Sequence, residues 1–208
     1  MRNKLALIHF IQKQKYTIGI WKIEEHEFNA EFSKVLHPNY HNEIQNYKNT
    51  KRQWQIHASK LLFEHLIPGE KLALENKKPI ITNSSKHVSI AHTNDIIAMI
   101  IAKFPCGIDI EPSNRDASKI QHKFLNKEDF TSGENTKNLL KNWCAKEVLY
   151  KIKGDSTVLF SDHLVVKKNG GLFSGYCNHP KIKFNSTIKI LNFENYCLAF
   201  NIDFKDIV

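Results

Sequence analysis

The sequence predicts an α+β fold made of two similar halves, each a small sheet carrying one long helix. Three observations predict it. Short β-branched runs alternate with two long helical stretches, near residues 46–67 and 137–153, instead of forming a regular strand-helix repeat. Each half also closes on a hairpin, at residues 87–104 and 188–202. Pro105 then interrupts an apolar strand and places a seam at residues 103–106, dividing the chain into an N-terminal half, 1–104, and a C-terminal half, 105–208. Residue-by-residue likeness between the halves is weak, so the duplication rests on the order of elements.

In the first half, residues 5–10 and 16–21 read as two strands around a polar turn at 12–15, with Ile18 and Ile20 on one face. A helix is expected at 25–36, ending before His37-Pro38. The clearer helix at 46–67 carries Trp54, Ala58, Leu61, Leu62, His65 and Leu66 as its apolar stripe and stops at Pro68-Gly69. Lys48, Lys51, Arg52, Ser59 and Lys60 fall mainly off that stripe. A turn-rich stretch with Lys77-Lys78-Pro79 leads to strands at 87–92 and 96–104. The second of these is almost wholly apolar and is expected to be buried on both faces.

The second half opens with the strand Gly107-Ile108-Asp109-Ile110-Glu111, ended by Pro112. Helical segments are expected at 116–125 and 127–131, then from 137 to a stop at Gly154, a residue suited to a left-handed cap. Strands at 164–166, 188–193 and 196–202 complete the chain. Tyr196, Leu198, Phe200 and Ile202 share one face of the last strand.

Composition narrows the class. A hydrophobic content of 41% with 25% charged residues fits a globular domain. No run approaches the roughly 18 apolar residues of a membrane span, and the N-terminus lacks a leader pattern, so a cytoplasmic protein is expected. Cys106, Cys144, Cys177 and Cys197 have no C-x-x-C spacing, which argues against zinc and against a disulfide framework; reduced, buried thiols are expected. The net charge is +9, with only three arginines among 30 basic residues, and it favours point-charge attraction to phosphates over base reading. Residues 1–104 hold 15 basic and 9 acidic groups and residues 105–208 hold 15 and 12, so the anion-binding side is expected in the first half.

Two groups of residues carry the chemistry. Leu139, Leu140, Trp143, Cys144, Val148 and Tyr150 form the apolar arc of the 137–153 helix, yet Glu147 and Lys151 fall inside it. A carboxylate there must be paired, metal-bound or protonated. One reading is a partly buried Glu147–Lys151 ion pair. Alternation supplies the other, because it places Asp109 and Glu111 on one strand face about 6.6 Å apart, where they repel unless a hard cation joins them. With Glu147 they make an oxygen set suited to magnesium. His92, at the end of a strand, reads as a structural hydrogen-bonder or a ligand.

The paired runs Gly107-Ile108-Asp109-Ile110-Glu111 and Trp143-Cys144-Ala145-Lys146-Glu147-Val148-Leu149-Tyr150-Lys151 match G-[IV]-D-[IV]-E and W-x-x-K-E-x-x-x-K. In these the chain resembles the 4′-phosphopantetheinyl transferases of the surfactin-synthetase-activating type. Arg52, Lys78-Pro79, Ser89 to His92 and Lys123-Phe124-Leu125-Asn126-Lys127-Glu128 extend the likeness over residues 48–166.

The resemblance implies a pseudo-dimeric fold with its site in the cleft between the halves. It also implies transfer of the phosphopantetheine arm of coenzyme A to a serine of an apo acyl or peptidyl carrier protein in fatty-acid or polyketide biosynthesis, by a monomer. Asp109, Glu111 and Glu147 would hold Mg2+, while Arg52, Lys78, Ser89 and His92 would bind coenzyme A. Glu147, Lys151 and Asp109 would act in catalysis, with either Glu147 or a metal-held water as the base. The chain departs from the family pattern at Ala91, where serine is usual, at Lys60, where arginine is common, and in the thinned glycine run Gly154-Asp155-Ser156. A coenzyme A-binding relative without turnover and a basic nucleic-acid-binding protein are the rival readings. No nucleic acid or membrane partner is expected on the first.

Overall fold

The computed structural model describes residues 7–23, 48–130 and 136–207. The helix expected at 25–36 lies outside them. The class is α+β, with every strand pairing antiparallel. The first sheet has the order β1-β2-β6-β5, from β1 (Leu7–Gln12), β2 (Tyr16–Lys22), β5 (His87–His92) and β6 (Ile96–Ala102). The second runs β7-β11-β10-β9-β8, from β7 (Ile108–Pro112), β8 (Leu164–Asn169), β9 (Leu172–His179), β10 (Ile182–Phe193) and β11 (Tyr196–Asn201), with β12 (Lys205–Asp206) pairing on β10.

Helix α1 (Thr50–Leu66) covers the first sheet, and α3 (Thr136–Lys153) covers the second. Asn49 starts α1 by accepting the Arg52 N–H at 3.1 Å through its side chain. α3 stops where predicted, since Gly154 takes φ +67 and its N–H reaches Tyr150 O at 2.8 Å. Between the sheets, Ile18, Ile20, Ala98 and Ile100 pack against Ile108, Ile110, Leu198 and Phe200. Each fully buried aliphatic or aromatic side chain there contributes about 1.5–3 kcal/mol. β6 alternates between this core and the one under α1, so it is buried on both faces, as its composition predicted. Edge strands β5 and β7 run side by side, with Ile108 N–H donating to Ser89 Oγ at 3.3 Å.

Some expectations require correction. Residues 127–130 form a turn, not a helix, because Asp129 accepts the Asn126 and Val166 N–H groups and pins the segment in place. Further upstream, 3-10 and α turns at Ser118–Ile120 and Gln121–Phe124 (α2) stand for the helix expected at 116–125. The stretch around Lys77-Lys78 is a hairpin of β3 (Leu72–Glu75) and β4 (Lys78–Ile81). Its turn residues Asn76 and Lys77 both take positive φ, a geometry that Asn-Lys announces poorly without glycine. On α1 the buried set includes Gln55, Lys60 and Phe63, while His65 is exposed. Lys60 was expected off the stripe, yet its ammonium crosses under the hairpin to Leu72 O at 3.2 Å. All four cysteines are free and buried, as expected.

Candidate functional site

β7 and α3 build the acidic side. Ile108 and Ile110 enter the inter-sheet core at 0% and 1% exposure, so alternation turns Asp109 and Glu111 toward α3. The helix lies directly on the strand backbone, since a Cβ on Gly107 would sit 2.1 Å from Val148 O. Trp143 Nε1 donates to Glu111 Oε1 at 3.2 Å, and Lys151 Nζ donates to Asp109 Oδ1 at 2.8 Å and to Ile108 O at 3.0 Å. Glu147 stands one turn after Trp143 and one turn before Lys151. The helix period therefore puts it on the face of α3 from which Trp143 and Lys151 reach the strand.

Electrostatics agree with that placement. Burial, and then the charge of Asp109, push the Glu147 carboxyl up to about 7, with a smaller contribution from Glu111. Asp109, 5% exposed, is also pushed up by burial against the pull of Lys151. Its Oδ2 is buried with no conventional hydrogen-bond partner, and the Cys144 thiol lies beside the carboxylate. The Glu147–Lys151 ion pair considered from spacing does not form. Lys151 crosses to Asp109 instead, because a strand acid buried beside it needs the charge more than a half-buried helix acid does.

Three carboxylates, one of which keeps a buried oxygen without a conventional hydrogen-bond partner, are hard donors of the type magnesium takes. They are not gathered onto one point, however. Among the described residues no group of three or more His, Cys, Asp or Glu side chains is disposed to hold a metal ion. Two of the three acids have a cation as partner instead: Lys151 bonds Asp109, and Arg115 ion-pairs with Glu111.

The facing wall comes from the first half. Arg52 Nη1 meets His92 Nε2 at 2.9 Å and Gln55 Oε1 at 3.3 Å, and Gln55 Nε2 anchors to Thr93 O at 2.9 Å. Desolvation, followed by the charges of Arg52 and Lys151, lowers the His92 pKa, while Glu111 pulls it upward. His92 therefore feels the acidic side across the seam. Lys78 Nζ donates to Ile152 O at 2.7 Å and to Lys153 O at 3.4 Å, so it caps the C-terminus of α3. Ser89 is buried, and its hydroxyl accepts from Ile108.

Lys78, Ser89 and Lys151 line a cleft of about 760 Å³ with Lys77 and Tyr150. A smaller pocket of about 210 Å³ shares Lys77, Pro79 and Ile90 with it and adds Arg52, Lys60 and His92. The structure thus couples Asp109, Glu111, Glu147, Lys151, Arg52 and His92 electrostatically, while Lys78 and Ser89 line the larger cleft with Lys151.

Sequence reasoning missed two features. Arg115 covers Glu111 and lies 5.2 Å from the Trp143 ring centroid. Its rarity and its place four residues after Glu111 were available signals. Lys146 is fully buried against Asp129 at 2.6 Å and also donates to Phe124 O at 2.5 Å and Phe160 O at 3.0 Å. A pairing seventeen residues apart across a turn leaves no periodic trace. No protein-family model matches the chain, and no curated protein matches it.

Proposed function

We propose that this chain transfers the 4′-phosphopantetheine arm of coenzyme A to a serine hydroxyl of an apo acyl or peptidyl carrier protein, with magnesium. The observation that carries the proposal is that Asp109 and Glu111 from β7 and Glu147 from α3 lie within electrostatic reach of one another, that Glu111 in turn acts on His92 beside Arg52, and that Lys151, bonded to Asp109, lines a cleft with Lys77 and Lys78. The paired motifs of β7 and α3 supply the residue types at these positions. Support for two similar halves is that each lays one long helix on the outer face of an antiparallel sheet.

In this reading Arg52, His92 and the cleft lysines bind the phosphates of coenzyme A, and hydrogen-bonded positioning limits their motion. Asp109, Glu111 and Glu147 would hold magnesium, which supplies charge neutralisation on the diphosphate oxygens. The serine oxygen bonds to the phosphorus carrying the pantetheine arm, and the bond from that phosphorus to the bridging oxygen breaks. Adenosine 3′,5′-bisphosphate leaves. Either Glu147, whose carboxyl burial and the Asp109 charge push up to about 7 in the cation-free chain, or a water held by the metal would take the serine proton. Lys151 offsets negative charge next to it.

The departure at Ala91 removes no donor from this arrangement, since Ala91 is 3% exposed and packs between the sheets. The test is intact-mass analysis of an apo carrier protein incubated with this chain, coenzyme A and Mg2+. The expected result is a gain of one phosphopantetheine arm, abolished by a chelator and by Glu147→Gln. An unmodified carrier alongside measurable coenzyme A binding would instead assign a binding protein without turnover.

A further inference from the structure

Arg115 ion-pairs with Glu111, the second of the two acids on β7. Its backbone N–H closes a turn on Pro112 O at 2.9 Å, which returns its guanidinium to Glu111 Oε1. Trp143 Nε1 donates to the same oxygen at 3.2 Å, and the Arg115 guanidinium lies over the Trp143 ring. The two cations touching the acidic pair differ in their freedom. Lys151 is tied to both Asp109 and Ile108 O, and it is 26% exposed; Arg115 is 36% exposed and sits on a turn just past the strand end.

Together Arg115 and Lys151 bring two positive charges to the Asp109 and Glu111 carboxylates, the charge a divalent cation would bring. We infer that Arg115 is a built-in competitor for the metal: it occupies Glu111 when the site is empty of cation, and Mg2+ binds by displacing it. Arg115 is thus a positioning residue that sets the magnesium concentration at which the site assembles. This rests on the function proposed above and adds its regulation.

The test is calorimetric titration of the full chain with Mg2+ alone. Arg115→Met keeps an apolar stem beside Trp143 and removes the charge. It is expected to bind Mg2+ about tenfold more tightly than the unsubstituted chain, since a hydrogen bond to a charged group no longer has to be broken. Lys167→Met removes a charge at a distant surface pair with Glu128 and is expected to leave the affinity unchanged. Trp143 provides a second readout: Mg2+ should change the indole emission of the unsubstituted chain, and Trp143→Phe should abolish that change.

If Arg115→Met fails to fold, Arg115→Gln carries the same prediction. Equal or weaker Mg2+ binding by the Arg115 variants, with binding by the unsubstituted chain intact, overturns the inference and leaves the transferase reading standing. Absence of Mg2+ binding in every variant, with no carrier modification in the mass assay, overturns both.

Discussion

Replacing Lys146 by methionine tests whether the helix that carries Glu147 is held by a buried charge. Both side chains of the Lys146–Asp129 pair have 0% exposure, and Nζ has three acceptors: Asp129 Oδ2, Phe124 O and Phe160 O. Asp129 in turn accepts the N–H groups of Asn126 and Val166. Methionine keeps most of the stem volume, so the loss falls on the charge and its hydrogen bonds. Breaking one partner of a buried pair costs about 3–5 kcal/mol, because the other charge remains without compensation. At about 2–4 °C per kcal/mol for a chain of this size, the melting temperature should fall by roughly 6–20 °C. Urea unfolding followed by circular dichroism gives the free energy, and an unchanged slope against urea shows that the unfolded state is the same. The double substitution Lys146→Met with Asp129→Leu should cost clearly less than the sum of the single ones. A loss under about 1 kcal/mol for Lys146→Met, or strict additivity in the double variant, would show that the buried pair does not hold the helix.

Other outcomes follow from the same geometry. Gly107→Ala places a methyl against the Val148 carbonyl, which cannot swing aside, and should cost about 3 kcal/mol or more in thermal unfolding. Lys78→Met removes the cap on α3 and should speed hydrogen exchange at the Lys153 and Gly154 amides, with a stability loss of about 1 kcal/mol. His92 has a folded-state pKa below its unfolded value of ~6.5, so the unfolded chain binds more protons below that pH. Its contribution to stability is therefore present above pH ~6.5 and lost as pH falls; His92→Gln should flatten that part of the stability profile.

The sequence disclosed what periodicity can carry. Asp109 and Glu111 were legible because Ile108 and Ile110 alternate with them, and the opposite-facing core confirms their direction. Glu147 stood out because a charge inside an apolar arc demands a partner. The identity of that partner was not legible: spacing offered Lys151, while the fold gives Lys151 to Asp109. Apolar arcs were also too narrow a guide on α3, which buries Asn142, Ala145, Lys146, Leu149 and Ile152 as well, because the sheet and the segments around Phe124 and Phe160 enclose the helix from several sides. The hairpin at Leu72–Glu75 and Lys78–Ile81 escaped notice because its turn lacks glycine, and with it went the floor of the cleft. Lys78 was legible as a cation near the site but not as a helix cap, since its acceptors lie 74 and 75 residues away.

The proposed transfer requires Asp109, Glu111 and Glu147 to share one cation when coenzyme A is bound. Crystals grown with coenzyme A and Mn2+ in place of Mg2+ test it directly through anomalous scattering. One strong peak bounded by Asp109, Glu111 and Glu147 is expected, with Arg115 withdrawn from Glu111. A peak elsewhere, or none with coenzyme A bound, would contradict it.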